Sequence, residues 1–200
     1  TGTITTIQST GTLALNAIAC PSATNCKVVY YDSDAGYVKL ADCNDATCSS
    51  PTDTNVFDIG TPTLSEPLEL DIDCPASDNC KIVMALEGDG IRLVDCDNEA
   101  CSSNTATTVD GSSNAYGIGI DCPTSTNCKL AFIEEYAAVH FIDCDNEACS
   151  TKTQTSVISS GNEGRGVALH CPTASNCKIS YTDADANEVK FIDCDNETCS

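Results

Sequence analysis

The stretches CPTSTNCKL (residues 122–130) and FIDCDNEACS (residues 141–150) decide the fold of this chain. Near-identical copies of the pair begin at Cys20, Cys74 and Cys171, with a spacing of about fifty residues. A period of this length indicates one structural unit that is repeated four times. We therefore predict a single repeat domain over residues 1–200, with repeats at about 1–48, 49–101, 102–149 and 150–200.

Each repeat contains four short runs in which β-branched or apolar residues alternate with polar ones. In the fourth repeat these runs include 153–157, 167–169, 178–181 and 189–194, and Gly, Asp, Asn and Ser separate them. Period-two alternation of this kind predicts strands of about five or six residues. The expected fold is all-β, with four tandem, four-stranded, β-propeller-like units. These units form either a closed four-bladed ring or a segment of a longer or polymerised array.

The Thr-rich run Thr3–Ile7 has the pattern of the run that follows the last cysteine of the earlier repeats, such as Thr153–Val157. We therefore expect residues 1–10 to complete the last repeat. The strand could do so within its own molecule, which would close a ring. It could also add to the last repeat of a neighbouring molecule, which would build a fibre.

Several runs of the fourth repeat carry a family resemblance: Ser159–Gly161, Val167–Leu169, Lys178–Tyr181 and Val189–Cys194. Together they resemble bacterial extracellular β-propeller-type repeat proteins, in a cysteine-rich variant. The resemblance covers nearly the whole chain. It implies a secreted surface protein and assigns no catalytic residue.

Sixteen cysteines in an even, repeated pattern are typical of a disulfide scaffold made in an oxidising compartment. Local pairing is favoured, because each pair would staple one loop of the repeat. A cross-strand pairing such as Cys26–Cys43 is the competing arrangement, and four-thiolate zinc sites are a weaker one because the spacings are too long. The predicted local pairs are Cys20–Cys26, Cys43–Cys48, Cys74–Cys80, Cys96–Cys101, Cys122–Cys128, Cys144–Cys149, Cys171–Cys177 and Cys194–Cys199.

Acidic loops follow the third cysteine of the later repeats and offer candidate oxygen ligands for calcium. No other cofactor is expected. Asn196 begins a lone N-glycosylation sequon, Asn-Glu-Thr. The calcium candidates are Asp95, Asp97, Asp143, Asp145, Asp193 and Asp195.

Seven of the nine Lys and Arg residues occupy two positions of the repeat. If the second and third cysteines face each other, Lys27 lies opposite Asp42, and the same holds in each repeat. We expect these to be cross-strand ion pairs that set register, each worth less than about 1 kcal/mol. His140 replaces a basic residue on a strand and His170 precedes a cysteine, and neither belongs to a motif with a nucleophile.

A formal net charge of −21 argues against nucleic acid as a partner, and no apolar run is long enough for membrane insertion. The leading hypothesis is an extracellular structural or cell-surface repeat protein that assembles with copies of itself through its in-phase ends. The alternative is a lectin-like or adhesion propeller that binds glycans or surface proteins through its loops. No asymmetric set of acid, base and nucleophile is visible, so we do not expect an enzyme.

Overall fold

The computed structural model describes residues 4–8, 10–59, 67–111, 115–134, 138–159 and 163–200. These residues form strands, turns and loops, and none of them belongs to a helix that could cross a membrane. The strands are β1 (Leu13–Ser22), β2 (Asn25–Asp32), β3 (Tyr37–Cys43), β4 (Thr52–Asp58), β5 (Pro67–Ala76), β6 (Asn79–Leu86), β7 (Gly90–Cys96), β8 (Asn104–Asp110), β9 (Ala115–Thr124), β10 (Asn127–Glu134), β11 (Ala138–Cys144), β12 (Lys152–Ile158), β13 (Glu163–Thr173), β14 (Asn176–Asp183) and β15 (Glu188–Cys194).

The strands build four antiparallel sheets in simple up-and-down order, which confirms the all-β prediction. Sheet 1 is β1-β2-β3-β4, sheet 2 is β5-β6-β7-β8 and sheet 3 is β9-β10-β11-β12. Sheet 4 is β13-β14-β15, with three strands among the described residues. The Thr-rich strands that follow the last cysteine of the first three repeats are β4, β8 and β12, and they are the outer strands of sheets 1 to 3. Each sheet therefore begins one strand later than the sequence repeat.

The strands are longer than the sequence pattern predicts, at seven to eleven residues. The first strand of each sheet continues past its first cysteine, because the C-P-x-x-x-N-C segment is a tight hairpin rather than a loop. In sheet 1, Ser22 pairs with Asn25 across a two-residue turn.

All sixteen cysteines form disulfides, and the pairs are the eight local ones that spacing favours. Cys26 and Cys43 are neighbours across β2 and β3, as the competing arrangement requires, yet each bonds to a partner in its own loop. The last cysteine of every repeat has a left-handed backbone, with φ between 51° and 53°. This backbone turns the chain sharply from the disulfide loop into the outer strand that follows.

The sheets stack face against face, and their first strands β1, β5, β9 and β13 lie side by side in that order. Three apolar cores fill the spaces between sheets 1 and 2, 2 and 3, and 3 and 4. We call the side of a sheet that points toward the following sheet its front face, and the opposite side its back face. Sheets 2 and 3 are therefore covered on both faces by their neighbours.

The described residues do not close this stack into a ring. Val189 and Phe191, on the front face of sheet 4, are 76% and 65% exposed, and Ile18, on the back face of sheet 1, is 64% exposed. Among the described residues, no further sheet covers the front face of sheet 4 or the back face of sheet 1.

Candidate functional site

A carboxylate clamp joins each sheet to the next and is the most regular polar feature of the structure. It consists of the Asn and Lys that flank the second cysteine and of a Glu from the acidic loop of the following sheet. Asn25 donates a hydrogen bond to Glu99 (2.6 Å), and Asn127 donates one to Glu197 (3.1 Å). Asn79 makes the equivalent bond to Glu147. The contact therefore occurs at all three interfaces between sheets.

The lysine of each clamp forms an ion pair with an aspartate of its own sheet, in the register expected from the sequence. Lys81 lies opposite Asp95 and forms the pair, and its ammonium also lies 3.3 Å from Glu147 of sheet 3. Three of the four pairs are buried, with the side chains of Lys27, Lys81 and Lys129 0% exposed. The sequence predicts these cross-strand pairs but not the burial of three of them, which arises because the following sheet covers them.

Burial also affects the pKa of the aspartate in two of these pairs. Desolvation raises the pKa of Asp95 and that of Asp143, although the hydrogen bonds from Lys81 and Lys129 act in the opposite direction. Each clamp therefore keeps one carboxylate inside the structure and a second, from the acidic loop of the next sheet, at its rim.

Sheet 4 carries the same lysine side of the clamp but presents it to solvent. Lys178 pairs with Asp193, and these side chains are 30% and 55% exposed. Asn176 is exposed as well. Among the described residues, no carboxylate from a following sheet reaches them. The front face of sheet 4 thus has an unfilled copy of the site that Glu99, Glu147 and Glu197 fill at the other interfaces.

The apolar residues beside this site are also uncovered. Val189 and Phe191 are equivalent to Ile91 and Leu93 of sheet 2, which are 0% exposed. In sheets 1 and 3 the equivalent residues are buried as well (Val38, Leu40, Val139 and Phe141). The outer edge of β15 carries no partner strand among the described residues, whereas β3, β7 and β11 each pair with an outer strand.

Residues 4–8 do not fill that edge in this structure. Thr5 and Ile7 line grooves on sheet 1 together with Ile18 and Val28, and none of residues 4–8 belongs to a strand. The predicted strand over Thr3–Ile7 is therefore absent from its described part. Residues 1–3, which complete the predicted segment, lie outside the described residues.

The acidic loops do not gather a calcium site. Within the described parts of the chain, no group of three or more His, Cys, Asp or Glu side chains could hold a metal ion. Asp95, Asp143 and Asp193 are turned toward lysines, whereas Asp97, Asp145 and Asp195 are exposed on the other side of the cysteine. The two members of each candidate pair are two positions apart and would share a face of a continuous strand. They have different surroundings because β7, β11 and β15 end at the intervening cysteine, so the second aspartate lies in the exposed loop.

Asn196, the predicted glycosylation site, lies in the exposed loop after β15. Its side-chain oxygen accepts a hydrogen bond from the backbone N–H of Ser200 (3.1 Å), and its amide donates to the Ser200 carbonyl (2.7 Å). Glycosylation at this position stays a prediction.

Aspartates on the first strands bridge neighbouring sheets, a role that sequence reasoning missed. Asp71 accepts hydrogen bonds from the backbone N–H of Ile72 and of Ile120 in sheet 3, each at 2.9 Å. Asp73 does the same for Cys74 (2.8 Å) and Cys122 (2.7 Å). Desolvation raises the pKa of both carboxyl groups, against the opposing effect of these hydrogen bonds. In the sequence, Asp71 and Asp73 alternate with apolar residues just before the first cysteine of their repeat, and this alternation was the signal that could have identified them.

The structure brings a hydroxyl, an imidazole and a carboxylate together on sheet 3. Ser156 Oγ lies 3.2 Å from His140 Nδ1, and His140 Nε2 lies 3.0 Å from Glu134 Oε2. The sequence placed no nucleophile beside His140, because Ser156 is its neighbour only across the β11–β12 pair. The same position holds Lys39, paired with Asp32, and Arg92, paired with Asp89. Lys190 of sheet 4 pairs in the same way with Asp183. The contact between His140 and Glu134 is thus the sheet-3 copy of a pair within the hairpin that occurs in every sheet.

Comparisons with known proteins support the fold only. No protein-family model and no curated protein matches the sequence. The chain is similar in structure to a protein of unknown function from Dyadobacter fermentans, with a TM-score of 0.60 and 9% identity over 84% of this chain and 48% of that one. It is also similar to the intramolecular trans-sialidase from Ruminococcus gnavus, with a TM-score of 0.57 and 12% identity over 88% of this chain and 42% of the sialidase.

A third similar structure is the α-L-arabinofuranosidase PaAbf62A from Podospora anserina, with a TM-score of 0.54 and 10% identity over 90% of this chain and 63% of that one. The chain thus spans between 42% and 63% of the length of these structures. The shared feature is the arrangement of β-sheets. The class that fold and site define is a disulfide-rich all-β protein with an open sheet face.

Proposed function

We propose that this chain is an extracellular structural protein whose propeller-like sheets assemble end to end with other copies. One observation carries the proposal: among the described residues, sheet 4 lacks the outer strand that β4, β8 and β12 supply to sheets 1 to 3, and the apolar front face beside that edge is uncovered. An edge of this kind is a template for a further strand. Eight disulfides are typical of a protein in an oxidising environment outside the cell.

The strand that completes sheet 4 would be the N-terminal segment of a second copy. Its register follows from the other sheets, in which Phe141 pairs with Thr155 and His140 with Ser156. By equivalence, Thr5 lies opposite Phe191 and Thr6 opposite Lys190. Ile7 then takes the position of Val109, which is 3% exposed, and Ile4 points away from the core.

Donor-strand exchange of this type supplies backbone hydrogen bonds for affinity and alternate side chains for specificity. Residues 4–8 are available as the donor strand because they belong to no strand in the single chain. Each copy offers one donor segment and one acceptor edge, so the contact is head-to-tail and generates a chain of copies unless it closes on itself.

A labelled peptide of residues 1–10 tests the proposal directly. We expect it to bind the chain that lacks residues 1–8, with fluorescence anisotropy as the readout. The peptide with Ile7→Asp should not bind, because it would bury a charge, and the peptide with Ile4→Asp is the matched control that should bind. Equal behaviour of the two variant peptides would contradict the register.

We also propose that the chain is not an enzyme, and that the His140 arrangement has a structural role. It repeats a pair within the hairpin that Lys39 and Arg92 form in other sheets. A fluorophosphonate probe should leave Ser156 unlabelled. Labelling that is lost in Ser156→Ala and in His140→Lys would overturn this part of the proposal.

A further inference from the structure

We infer that the front face of sheet 4 docks onto the back face of sheet 1 of a second copy, as a weakened version of the interfaces inside the chain. The inference rests on the proposed end-to-end assembly and adds a second, separable contact to it.

The interior interfaces supply the template. At each of them, two apolar residues of the third strand of one sheet pack against the back face of the next sheet, and they are fully buried there. Val189 and Phe191 hold these positions in sheet 4 but are 76% and 65% exposed. An apolar pair at a position that is buried three times elsewhere indicates a surface that is covered in the assembled state.

The back face of sheet 1 provides the matching surface. Ile18 is equivalent to Ile72 and Ile120, which are 4% and 5% exposed and pack on the preceding sheet, but Ile18 itself is 64% exposed. It lines a groove with Val28 and Ala46, and Thr5 and Ile7 line the same groove. When residues 4–8 move to β15 of the neighbouring copy, they uncover this face for docking. One movement thus creates both contacts.

The carboxylate clamp explains why this contact is weaker than the interior ones. Asn176 and Lys178 retain the side of the clamp that receives a glutamate. The back face of sheet 1, however, has Ala46 at the position that Glu99, Glu147 and Glu197 occupy in the other acidic loops. A second copy therefore brings the apolar surface but not the carboxylate. The net charge of −21 adds repulsion between copies, which salt screens.

The missing carboxylate permits a gain-of-function test. Ala46→Glu should lower the dissociation constant for self-association about two- to fivefold, because it adds a partly exposed charge pair with Lys178. The gain should disappear when Lys178→Met is added. Ala46→Gln is the matched control, with the same shape and no charge. Sedimentation velocity on the full chain over a series of concentrations provides the measurement.

Loss-of-function variants complete the experiment. Val189→Ser with Phe191→Ser should weaken self-association at least tenfold, and Ile18→Ser should weaken it by less, whereas Ile4→Ser should have no effect. Circular dichroism and thermal unfolding check that each variant folds. The inference is overturned if neither these variants nor Ala46→Glu changes the dissociation constant.

Removal of residues 1–8 separates this inference from the proposed strand exchange. If the truncated chain still associates and responds to Val189→Ser with Phe191→Ser, face docking stands and strand exchange fails as the cause of assembly. If truncation abolishes association while the face variants and Ala46→Glu have no effect in the full chain, strand exchange stands and face docking is wrong.

Discussion

Glu197, in the last acidic loop, accepts a hydrogen bond of 3.1 Å from the side-chain amide of Asn127 in the preceding sheet. The bond spans 70 residues of sequence and holds sheet 4 against sheet 3. Because Glu147 and Glu99 make the same contact one and two sheets earlier, the repeat encodes not only each sheet but also its attachment to the neighbour.

Loss of the clamp should loosen sheet 4. We expect Glu197→Ala to lower the free energy of unfolding by about 1 kcal/mol, because its carboxylate is half exposed and solvent screens it. Hydrogen exchange should accelerate in β13 to β15 but not in sheet 1. Glu188→Ala, at an exposed position of β15, is the control and should leave the exchange of both sheets unchanged. Uniform acceleration in all four sheets would contradict a local role.

The buried and exposed copies of the lysine–aspartate pair should differ in energy. Asp95→Ala leaves the ammonium of Lys81 buried with only Glu147 nearby, and we expect it to destabilise the fold by about 3 kcal/mol. Asp193→Ala removes the same partner from the more exposed Lys178 and should cost less than about 1 kcal/mol. Urea unfolding of both variants measures the difference. Equal costs would show that burial does not set the strength of the pair.

Stability should rise as the pH falls from neutrality through the folded-state pKa values of Asp71 and Asp73. The folded-state pKa values of Asp71 and Asp73 are raised, so the folded protein binds protons more readily than the unfolded chain in this range. Protonation of these groups therefore favours the folded state, and the gain is complete near the unfolded value of about 4.

Below that pH, Asp32 acts in the opposite sense. The hydrogen bond from Lys39 lowers the pKa of Asp32, so the ionised carboxylate stabilises the fold, and this contribution is lost when Asp32 is protonated. Thermal unfolding across this range should thus show a maximum at mildly acidic pH. Asp71→Asn should flatten the acid side of the rise, and an unchanged profile would contradict the assignment.

The disulfides should contribute unequally to the free energy of unfolding, according to whether they are buried between two sheets. Closing a ring of about six residues is worth about 2 kcal/mol in the loop-entropy account. Cys122→Ser with Cys128→Ser should cost more than this, because both positions lie in the core between sheets 2 and 3 and the hydroxyls would be buried. Cys20→Ser with Cys26→Ser, on the free back face of sheet 1, should cost about 2 kcal/mol or less. Differential scanning calorimetry of the two variants tests the order.

Much of the fold could be predicted from local pattern. Strand positions, the local cysteine pairs and the register of Lys27 against Asp42 all follow from alternation and spacing. Strand length was underestimated because the alternating pattern ends at the first cysteine, whereas the strand continues past it to the two-residue turn of the C-P-x-x-x-N-C hairpin. The left-handed backbone of Cys101 carries no glycine signal, so the sharp turn there was not foreseen.

The candidate site depends on contacts between repeats, and these have no local signature. Glu147 and Asn79 are 68 residues apart and meet only when sheets stack. The burial of Lys81, the bridging of Asp73 to Cys122 and the approach of Ser156 to His140 likewise require the tertiary arrangement.

The sequence by itself determined that four disulfide-bonded antiparallel units occur in series, because alternation, turn residues and cysteine spacing act within a single repeat. Only the tertiary structure decided which residues lie between the sheets and which end faces stay open. The physical reason is that burial is a property of stacked neighbours. Val139 and Val189 hold the same position of the repeat, yet one is fully buried and the other is 76% exposed.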